Sequence, residues 1–383
     1  MFPVFTDFCY TLIMSSCFLL RRVIALGLAL GVFTLCLRAE AAAQLDKIHL
    51  PPGFSIEVFG LTPGARSISV SAELNIVFVG SKSGAVYAIP FKNAMAAKTL
   101  ILKDGLILPH GVAWRDGYLY VGEQHRITRY RGASLKALLK APPEVIFDDM
   151  NPSSWHGRRD LAFDPEGNLY VALGTPCNIC KPGRHEGVIM RMGADGSNPV
   201  VFANGIRNSV GMDFHPTTGE LHFTDNGADK MGNDIPPEEL NRAAKSGLHF
   251  GYPFFGGGKA RTRQFQKARP PANAVQPDLK FGAHVAPLGL HFYRGDMFPK
   301  DMRFDAFVAH HGSWNRDIPD GYRVARVRFD EKGRAQSWQP FAEGWLQGPR
   351  AWGRPADVNE LPDGSLLVSD DKQGVIYRIS YTP

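Results

Sequence analysis

A histidine and several arginines stand close together in one short segment, where they could bind an anion and move a proton. His156 lies in "WHGRRDLAFD", next to Arg158 and Arg159. An imidazole near its free pKa can take a proton from an alcohol at neutral pH. A guanidinium binds a carboxylate through two parallel hydrogen bonds. The segment therefore predicts a general base beside an anion-binding group.

The same segment belongs to a repeat that runs along most of the chain. Each copy has a start residue, an alternating strand, a turn with Gly, Asp or Asn, and a second strand, often followed by a third. Six copies begin at Arg66, His110, Arg159, Arg207, Pro287 and Arg354. A small antiparallel sheet cannot bury both faces alone, so copies of this size stack radially. The sequence predicts an all-β fold, a six-bladed β-propeller over residues 44–383.

The repeat also predicts where the arginines meet. In a propeller the first strand of each blade lines the central channel, so equivalent start residues form a ring at one mouth. Arginine is costly to place repeatedly beside a channel, and the ring therefore indicates a small polyanionic ligand. The alternative is that each arginine pairs within its own blade with Asp160, Asp213 or Asp357.

One long insertion interrupts the repeat at residues 233–277. It is predicted to be loop with a short helix at "PPEELNRAAKSG", ended by Gly247. The insertion and the turn before it are rich in oxygen ligands, namely Asp225, Asn226, Asp234, Glu238, Glu239 and Asn241. Carboxylates, amides and backbone carbonyls suit Ca²⁺, although a solvated acidic loop has the same composition.

Two further pairs of residues could carry chemistry. His310 and His311 are weaker candidates for the base, because adjacent strand residues point to opposite faces. Cys177 and Cys180 lack the βαβ context of a redox motif, the following histidine of haem c and a second cysteine pair for zinc. A local disulfide that stiffens a loop is the predicted role.

The N-terminus predicts export. In residues 1–43, Arg21 and Arg22 precede the apolar run "VIALGLALGVFTLCL", and "RAEAAAQ" offers cleavage after Ala41 or Ala43. Met14 is an alternative start, and an uncleaved membrane anchor is the alternative interpretation. The net charge is +6, but the basic residues are scattered, which argues against a nucleic-acid partner.

Other enzyme classes lack their signatures. The chain has no G-x-S-x-G elbow, H-E-x-x-H or P-loop, and no G-x-G-x-x-G that opens a helix. These absences argue against a nicotinamide oxidoreductase.

The chain resembles the soluble quinoprotein sugar dehydrogenases, most closely their sorbosone dehydrogenase branch. The similarity extends from "LPPGFSIEVFG" to "GRPADVNELPDGSLLVSDDKQGVIYRIS". The resemblance implies a six-bladed propeller that binds pyrroloquinoline quinone (PQQ) and Ca²⁺ over the channel mouth. PQQ carries three carboxylates, which would account for the ring of arginines.

Matching segments imply individual roles. "HGRRDLAFD" implies that His156 is the catalytic base, and "RNSVGM" implies that Arg207 and Asn208 face the reactive carbonyl of the cofactor. The remaining assignments fall into two groups. Implied cofactor contacts are Arg158, Arg354 and, from "HHGSWNR", Arg316 or Asn315; implied calcium neighbours are Asn226 and Gly227, with Glu238 or Glu239 orienting Arg207.

The resulting expectation is a periplasmic dehydrogenase that oxidises a sugar or sugar aldehyde by hydride transfer to PQQ. A cytochrome or a quinone would be the electron acceptor. Two alternatives remain, a non-catalytic propeller that binds a sugar or a protein, and a Ca²⁺-dependent lactonase-like hydrolase.

Overall fold

Six small antiparallel sheets surround a central channel in the computed structural model, which describes residues 44–383. The expected signal segment, residues 1–43, lies outside the described residues. Each sheet forms because its strands alternate or are wholly apolar, so that both faces can be buried between neighbouring blades. The predicted six-bladed β-propeller is confirmed.

The strands follow the predicted repeat closely. Strand β1 (Phe54–Leu61) precedes the first blade. Blade one contains β2 (Ala65–Ser71), β3 (Ile76–Ser81), β4 (Val86–Lys92), β5 (Met95–Ala96) and β6 (Leu100–Lys103). Blade two contains β7 (Gly111–Arg115), β8 (Tyr118–Gly122), β9 (Ile127–Arg131) and β10 (Glu144–Phe147). Blade three contains β11 (Leu161–Phe163), β12 (Leu169–Leu173), β13 (Val188–Met192) and β14 (Val200–Asn204).

The later blades are built in the same way. Blade four contains β15 (Met212–Phe214), β16 (Leu221–Asp225), β17 (Glu238–Ala243) and β19 (Leu279–Phe281), while β18 (Leu248–His249) pairs with β14. Blade five contains β20 (Pro287–Phe292), β21 (Ala306–His310), β22 (Arg323–Phe329) and β23 (Ala335–Glu343). A hairpin of β24 (Leu346–Gln347) and β25 (Arg350–Ala351) leads to blade six, which contains β26 (Pro355–Glu360), β27 (Leu366–Asp370) and β28 (Val375–Tyr381).

The ring is closed by pairing the two ends of the described chain. Strand β1 lies antiparallel to β28, with Phe54 opposite Tyr381 and Leu61 opposite Val375. The first strand therefore supplies the outermost strand of the last blade. An edge that would otherwise expose unpaired backbone groups is covered.

Neighbouring blades approach each other closely at the channel. A methyl group on Gly111 would overlap the carbonyl oxygen of Arg159, and one on Gly211 would overlap that of Leu288. Both glycines stand at or next to the start of an innermost strand. The missing side chains allow each blade to place its start residue directly against the next blade.

The helix expected in the insertion is wrong. Residues 238–243 form strand β17, which pairs with β16 on one side and β19 on the other. Helix-forming residues adopt a strand here because the sheet satisfies their backbone on both edges and buries Glu238, Glu239 and Leu240. The α-helix within the described residues, α1 (Leu135–Lys140), begins after Ser134, whose hydroxyl accepts the Ala137 N–H. Single 3₁₀ turns occupy Leu45–Lys47 and Lys300–Met302.

Across residues 44–383, no helix has the length and apolarity needed to cross a membrane.

Ring closure predicts a strong effect at Phe54. Its ring packs within 5.0 Å of Phe298, Phe341 and Tyr381, and so ties β1 to the fifth and sixth blades. We expect Phe54→Ala to lower the free energy of unfolding by about 2 kcal/mol. Denaturant titration would measure it, with Ile101→Ala as the control, because Ile101 is 57% exposed on β6. Equal losses in both variants would contradict the role of β1 in closure.

Candidate active site

A cavity of about 540 Å³ opens at one mouth of the channel. The starts of the innermost strands and the loops above them supply its walls. Most of the residues predicted from the sequence line it, together with several that were not predicted. The predicted members are His156, Arg158, Arg207, Asn208, Asn226, Gly227, Glu238 and Arg354.

His156 is held in an unusual backbone conformation on one wall. Its φ is 50°, in the left-handed region, and Gly174 faces it so closely that a Cβ there would lie 2.6 Å from the Cβ of His156. Its Nδ1 lies 3.5 Å from the hydroxyl oxygen of Thr175, while Nε2 has no hydrogen-bond partner among residues 44–383. Burial and then the nearby guanidinium of Arg207 lower the pKa of His156 to about 2. The imidazole is therefore neutral at physiological pH and can accept a proton.

Arg207 is buried at the base of the cavity and hydrogen-bonded through all three of its guanidinium nitrogens. Its Nη2 pairs with Asp229 at 2.8 Å and its Nη1 donates to the carbonyl oxygen of Asn226 at 3.1 Å. Two further hydrogen bonds run from the guanidinium to Asn178. The carboxylate that orients Arg207 is therefore Asp229, rather than Glu238 or Glu239 as expected.

On the opposite wall a second carboxylate, that of Asp371, contacts three basic side chains. Asp371 accepts from Arg66 at 3.0 Å and from the ring of His311 at 2.9 Å, and Lys82 lies 3.3 Å away. Burial alone would raise the pKa of Asp371, but His311, Arg66 and Lys82 together hold it well below its usual range. Asp371 is therefore ionised, and it joins blades one, five and six across the cavity.

Two guanidinium groups in the cavity have no carboxylate partner. Arg158 makes no hydrogen bond or ion pair with any described residue, and the nearby Arg66, followed by burial, lowers its pKa to about 10. Arg354 donates to the carbonyl oxygens of His311 and Gly312, at 3.0 and 2.6 Å. Both side chains leave positive charge facing the cavity. An anionic ligand would complete this arrangement.

The predicted calcium residues divide between two places. Glu238 lines the large cavity beside Gly227, whose N–H donates to it at 2.6 Å, and burial raises the pKa of Glu238 to about 8. Glu239 turns away from this cavity. It accepts from the N–H of Gly258 and from Asn241, and with Asp225 it borders a separate space of about 10 Å³. Among residues 44–383, no three His, Cys, Asp or Glu side chains are grouped to hold a metal ion.

Several predicted residues lie elsewhere. Arg316 is outside the cavity and bonds the carbonyl oxygens of Asn233 and Ala283, so it fastens two loops together. The neighbouring Asn315 does line the cavity. His310 is buried, and neither of its ring nitrogens is hydrogen-bonded to any residue from 44 to 383, whereas His311 faces the cavity.

Arg159 and the two cysteines stabilise loops next to the cavity without lining it. The Arg159 guanidinium donates to the carbonyl oxygens of Gln124, Asn151 and His156, and so it holds the loop that carries the histidine. Cys177 and Cys180 form a disulfide, as the sequence predicted.

The floor of the cavity is apolar. Val210 and Leu288 line the cavity and pack against Ala356 behind them. Below them a second cavity of about 220 Å³ is lined by all six innermost strands and shares no lining residue with the first among residues 44–383. Asp160, Asp213 and Asp357 face this lower space. The proposed pairing of these carboxylates with the start arginines is therefore wrong; Asp213 instead binds Arg294.

Aromatic rings stand at the upper edge of the cavity. Trp155 is 51% exposed and Trp314 is 65% exposed, and both line the opening. Neither was predicted as a functional residue. Trp155 precedes the predicted residue His156, and Trp314 stands two positions before Arg316. A tryptophan beside a predicted site residue is the sequence signal that could have revealed both.

The fold and its cationic mouth define a six-bladed propeller with a ligand site at one end of its channel. The chain belongs to the glucose/sorbosone dehydrogenase family, whose family profile matches residues 119–378.

Individual proteins resemble this chain in sequence or in fold. An uncharacterised protein of Borreliella burgdorferi is 34% identical over 349 residues, which cover 87% of this chain and 91% of that protein. A pyrroloquinoline quinone-dependent pyranose dehydrogenase of Coprinopsis cinerea is 32% identical over 129 residues, only 28% of this chain and 17% of that enzyme. The holo PQQ domain of a C. cinerea pyranose dehydrogenase superposes with a TM-score of 0.73 at 19% identity, covering 87% of this chain and 97% of that one.

The pairing pattern predicts opposite effects for two arginines. Arg158→Ala removes a repulsive charge and leaves no partner behind, so the ligand-free protein should unfold at the same or a higher denaturant concentration. Arg207→Ala leaves the carboxylate of Asp229 without its arginine and should lower the free energy of unfolding by about 3 kcal/mol. Denaturant titration of both ligand-free variants measures this difference. Equal destabilisation would contradict the unpaired state of Arg158.

Proposed function

We propose that this protein is an exported PQQ-dependent dehydrogenase that oxidises a sugar hydroxyl or sugar aldehyde of the sorbosone and aldose class. The observation that carries this proposal is the unpaired guanidinium of Arg158 in the cavity that also holds the neutral His156. The guanidinium would favour an anionic ligand, and the neutral imidazole could accept a proton. Membership of the glucose/sorbosone dehydrogenase family supports a sugar as the substrate.

The cavity residues fit a flat tricarboxylate. A volume of about 540 Å³ lies within the ordinary range for small-molecule sites. Arg158 and Arg354 offer guanidinium groups free of carboxylates, and Arg66 and Lys82 add charge that Asp371 only partly balances. We infer that these side chains would bind the cofactor carboxylates through charge-assisted hydrogen bonds.

Calcium would be held at the base of the same cavity. Glu238 would supply a carboxylate oxygen and Gly227 a backbone carbonyl oxygen, and the divalent charge would favour ionisation of a glutamate that is otherwise buried with a raised pKa. The side chain of Glu239 is engaged elsewhere, so Glu238 is the carboxylate we assign to the ion.

The reaction follows from the protein groups around the ligand. When bound, PQQ supplies an electrophilic quinone carbonyl that accepts hydride. His156 would take the substrate hydroxyl proton at Nε2, because Nδ1 already lies against Thr175. Arg207, fixed by Asp229, would keep positive charge where negative charge develops. Trp155 and Trp314 would cover the apolar faces of the sugar at the opening.

Export and electron transfer complete the proposal. The signal-like segment 1–43 and the disulfide between Cys177 and Cys180 support a periplasmic location. A cytochrome or a quinone would take the electrons. The lactonase alternative would need several unpaired carboxylates in the open cavity. There Asp229 and Asp371 are each paired with an arginine, and Asp160, Asp213 and Asp357 lie in the lower space.

Cofactor binding and catalysis can be separated experimentally. PQQ with Ca²⁺ should raise the Tm and confer dye reduction with sorbosone, glucose or other aldoses; at about 100 times Kd the stabilisation is ~2.7 kcal/mol. His156→Gln should lower kcat by roughly 10²–10⁴-fold and leave the Tm shift intact, because it removes only the base.

His284→Gln is the matched control for that variant. His284 lines the same cavity, but its Nε2 is already bonded to the carbonyl oxygen of Gly232 at 2.7 Å. Its turnover should therefore persist. Dye reduction that does not require PQQ would overturn the proposed function, and full turnover by His156→Gln would remove His156 from its role.

The calcium assignment predicts a specific loss on chelation. EGTA should abolish PQQ-dependent activity, and added Ca²⁺ should restore it. Glu238→Gln should raise the Ca²⁺ concentration needed for half-maximal activity by about tenfold or more, because one charged ligand is lost. Glu239→Gln is the comparison, since Glu239 faces away from the cavity. If only Glu239→Gln shifts the calcium requirement, the ion lies at the smaller space beside Asp225.

A further inference from the structure

A disulfide-closed turn lies directly behind the guanidinium of Arg207. The Cys177–Cys180 bond, with a Cα–Cα distance of 6.1 Å, closes a ring of four residues. The ring lies in the irregular loop 174–187, between β12 and β13, and its side chains are partly buried. Asn178, inside the ring, points towards the base of the cavity.

Asn178 holds both members of the ion pair. Its backbone carbonyl accepts from Arg207 Nε at 3.0 Å, and its side-chain Oδ1 accepts from Arg207 Nη2 at 2.9 Å. The same Oδ1 accepts the N–H of Asp229 at 2.9 Å, while Nδ2 donates to the Asp229 carbonyl at 3.0 Å. One residue therefore fixes the arginine and, through two further hydrogen bonds, the backbone of its carboxylate partner.

A buried tyrosine fixes the ring itself. The hydroxyl of Tyr252 accepts the N–H of Cys180 at 2.9 Å, and it lies 3.4 Å from both the Asn178 carbonyl oxygen and Cys177 Sγ. Tyr252 is 3% exposed and also borders the small space beside Arg207. Tyr252 lies in the segment between β18 and β19, so its hydroxyl connects the disulfide ring to blade four.

The covalent bond supplies order that the loop sequence lacks. Residues 174–187 form no strand or helix, so the residues of the ring, 177–180, would gain conformational freedom if the ring opened. A cross-link removes much of that freedom before any hydrogen bond forms. Asn178 can then meet Arg207 and Asp229 at little additional entropic cost.

We propose that Asn178 is a positioning residue for Arg207, and that the Cys177–Cys180 bond makes the geometry of the site dependent on its redox state. This inference deepens the proposed PQQ function and, for its effect on the cofactor, rests on it. A dithiol would open the ring by thiol–disulfide exchange, transferring two electrons and two protons, so that the protein disulfide becomes two cysteine thiols and the dithiol becomes a cyclic disulfide. Arg207 would then keep Asp229 but lose its fixed orientation.

The first test measures PQQ affinity apart from activity. Quenching of tryptophan fluorescence by PQQ in the presence of Ca²⁺ gives Kd. Asn178→Ala and the double variant Cys177→Ser/Cys180→Ser should each weaken it on the order of tenfold, as expected when a supporting contact is lost. The KM for the sugar should change less than kcat, because Arg207 faces the cofactor.

A matched substitution separates positioning from general stability. Asn359→Ala also removes an amide bonded to a backbone carbonyl, that of Ile68 at 2.8 Å, but Asn359 borders the lower cavity. It should leave Kd unchanged. Unchanged Kd in Asn178→Ala, with wild-type protein that binds PQQ, would overturn the positioning role and leave the proposed function standing.

The second test needs no cofactor, which also avoids the reaction of thiols with quinones. Hydrogen exchange is followed on the ligand-free protein with and without dithiothreitol. Reduction should speed exchange at the N–H of Asp229 and at residues 205–210, with strand β12 unaffected. The double serine variant should show the faster exchange already and should not respond to the dithiol. Equal exchange in oxidised and reduced wild-type protein would overturn the redox dependence, whether or not PQQ binds.

Discussion

The close contact of neighbouring blades at the channel is the constraint on which the rest of the molecule depends. Where β7 and β15 approach the next blade there is room for a hydrogen atom and nothing larger, which is why Gly111 and Gly211 stand there. Each innermost strand is thereby fixed against its neighbours, and its first residue is carried to the same mouth. Radial packing alone thus gathers residues that are distant in the chain.

The same packing brings several basic side chains close together, and the carboxylates beside them balance only part of their charge. Asp371 and Asp229 each hold one buried arginine, and Asp371 also meets His311 and Lys82. Arg158 is left without a counter-charge among the described residues and lies close enough to Arg66 for its pKa to fall. The ligand-free protein therefore stores unfavourable electrostatic energy in its cavity, and a bound anion would release it.

The sequence predicted the parts of this arrangement that repeat. Strand periodicity and the recurring start residue gave the six blades, and the blades placed His156, Arg158, Arg207 and Arg354 around one cavity. Residues 238–243 were misassigned because their helical propensity is local, whereas the two neighbouring strands that override it are set by tertiary pairing.

Non-repeating contacts were beyond the reach of the sequence. Asp229 and Asn178 are 51 residues apart, and nothing in either segment shows that they meet. Arg316 was assigned to the cofactor from "HHGSWNR", yet the path of its loop directs it to Asn233 and Ala283. Loop geometry of this kind depends on many weak contacts that leave no periodic pattern.

The apolar floor formed by Val210, Leu288 and Ala356 has a consequence for the order of events in the cavity. Val210 and Leu288 line the upper cavity, and that cavity shares no lining residue with the lower space among residues 44–383, so we expect a ligand to enter and leave by the mouth. A sugar and a bulky electron acceptor would compete for the same opening, so the two could not bind at the same time. Under the proposed function, the two half-reactions would therefore be separated in time, because both partners would use the same opening.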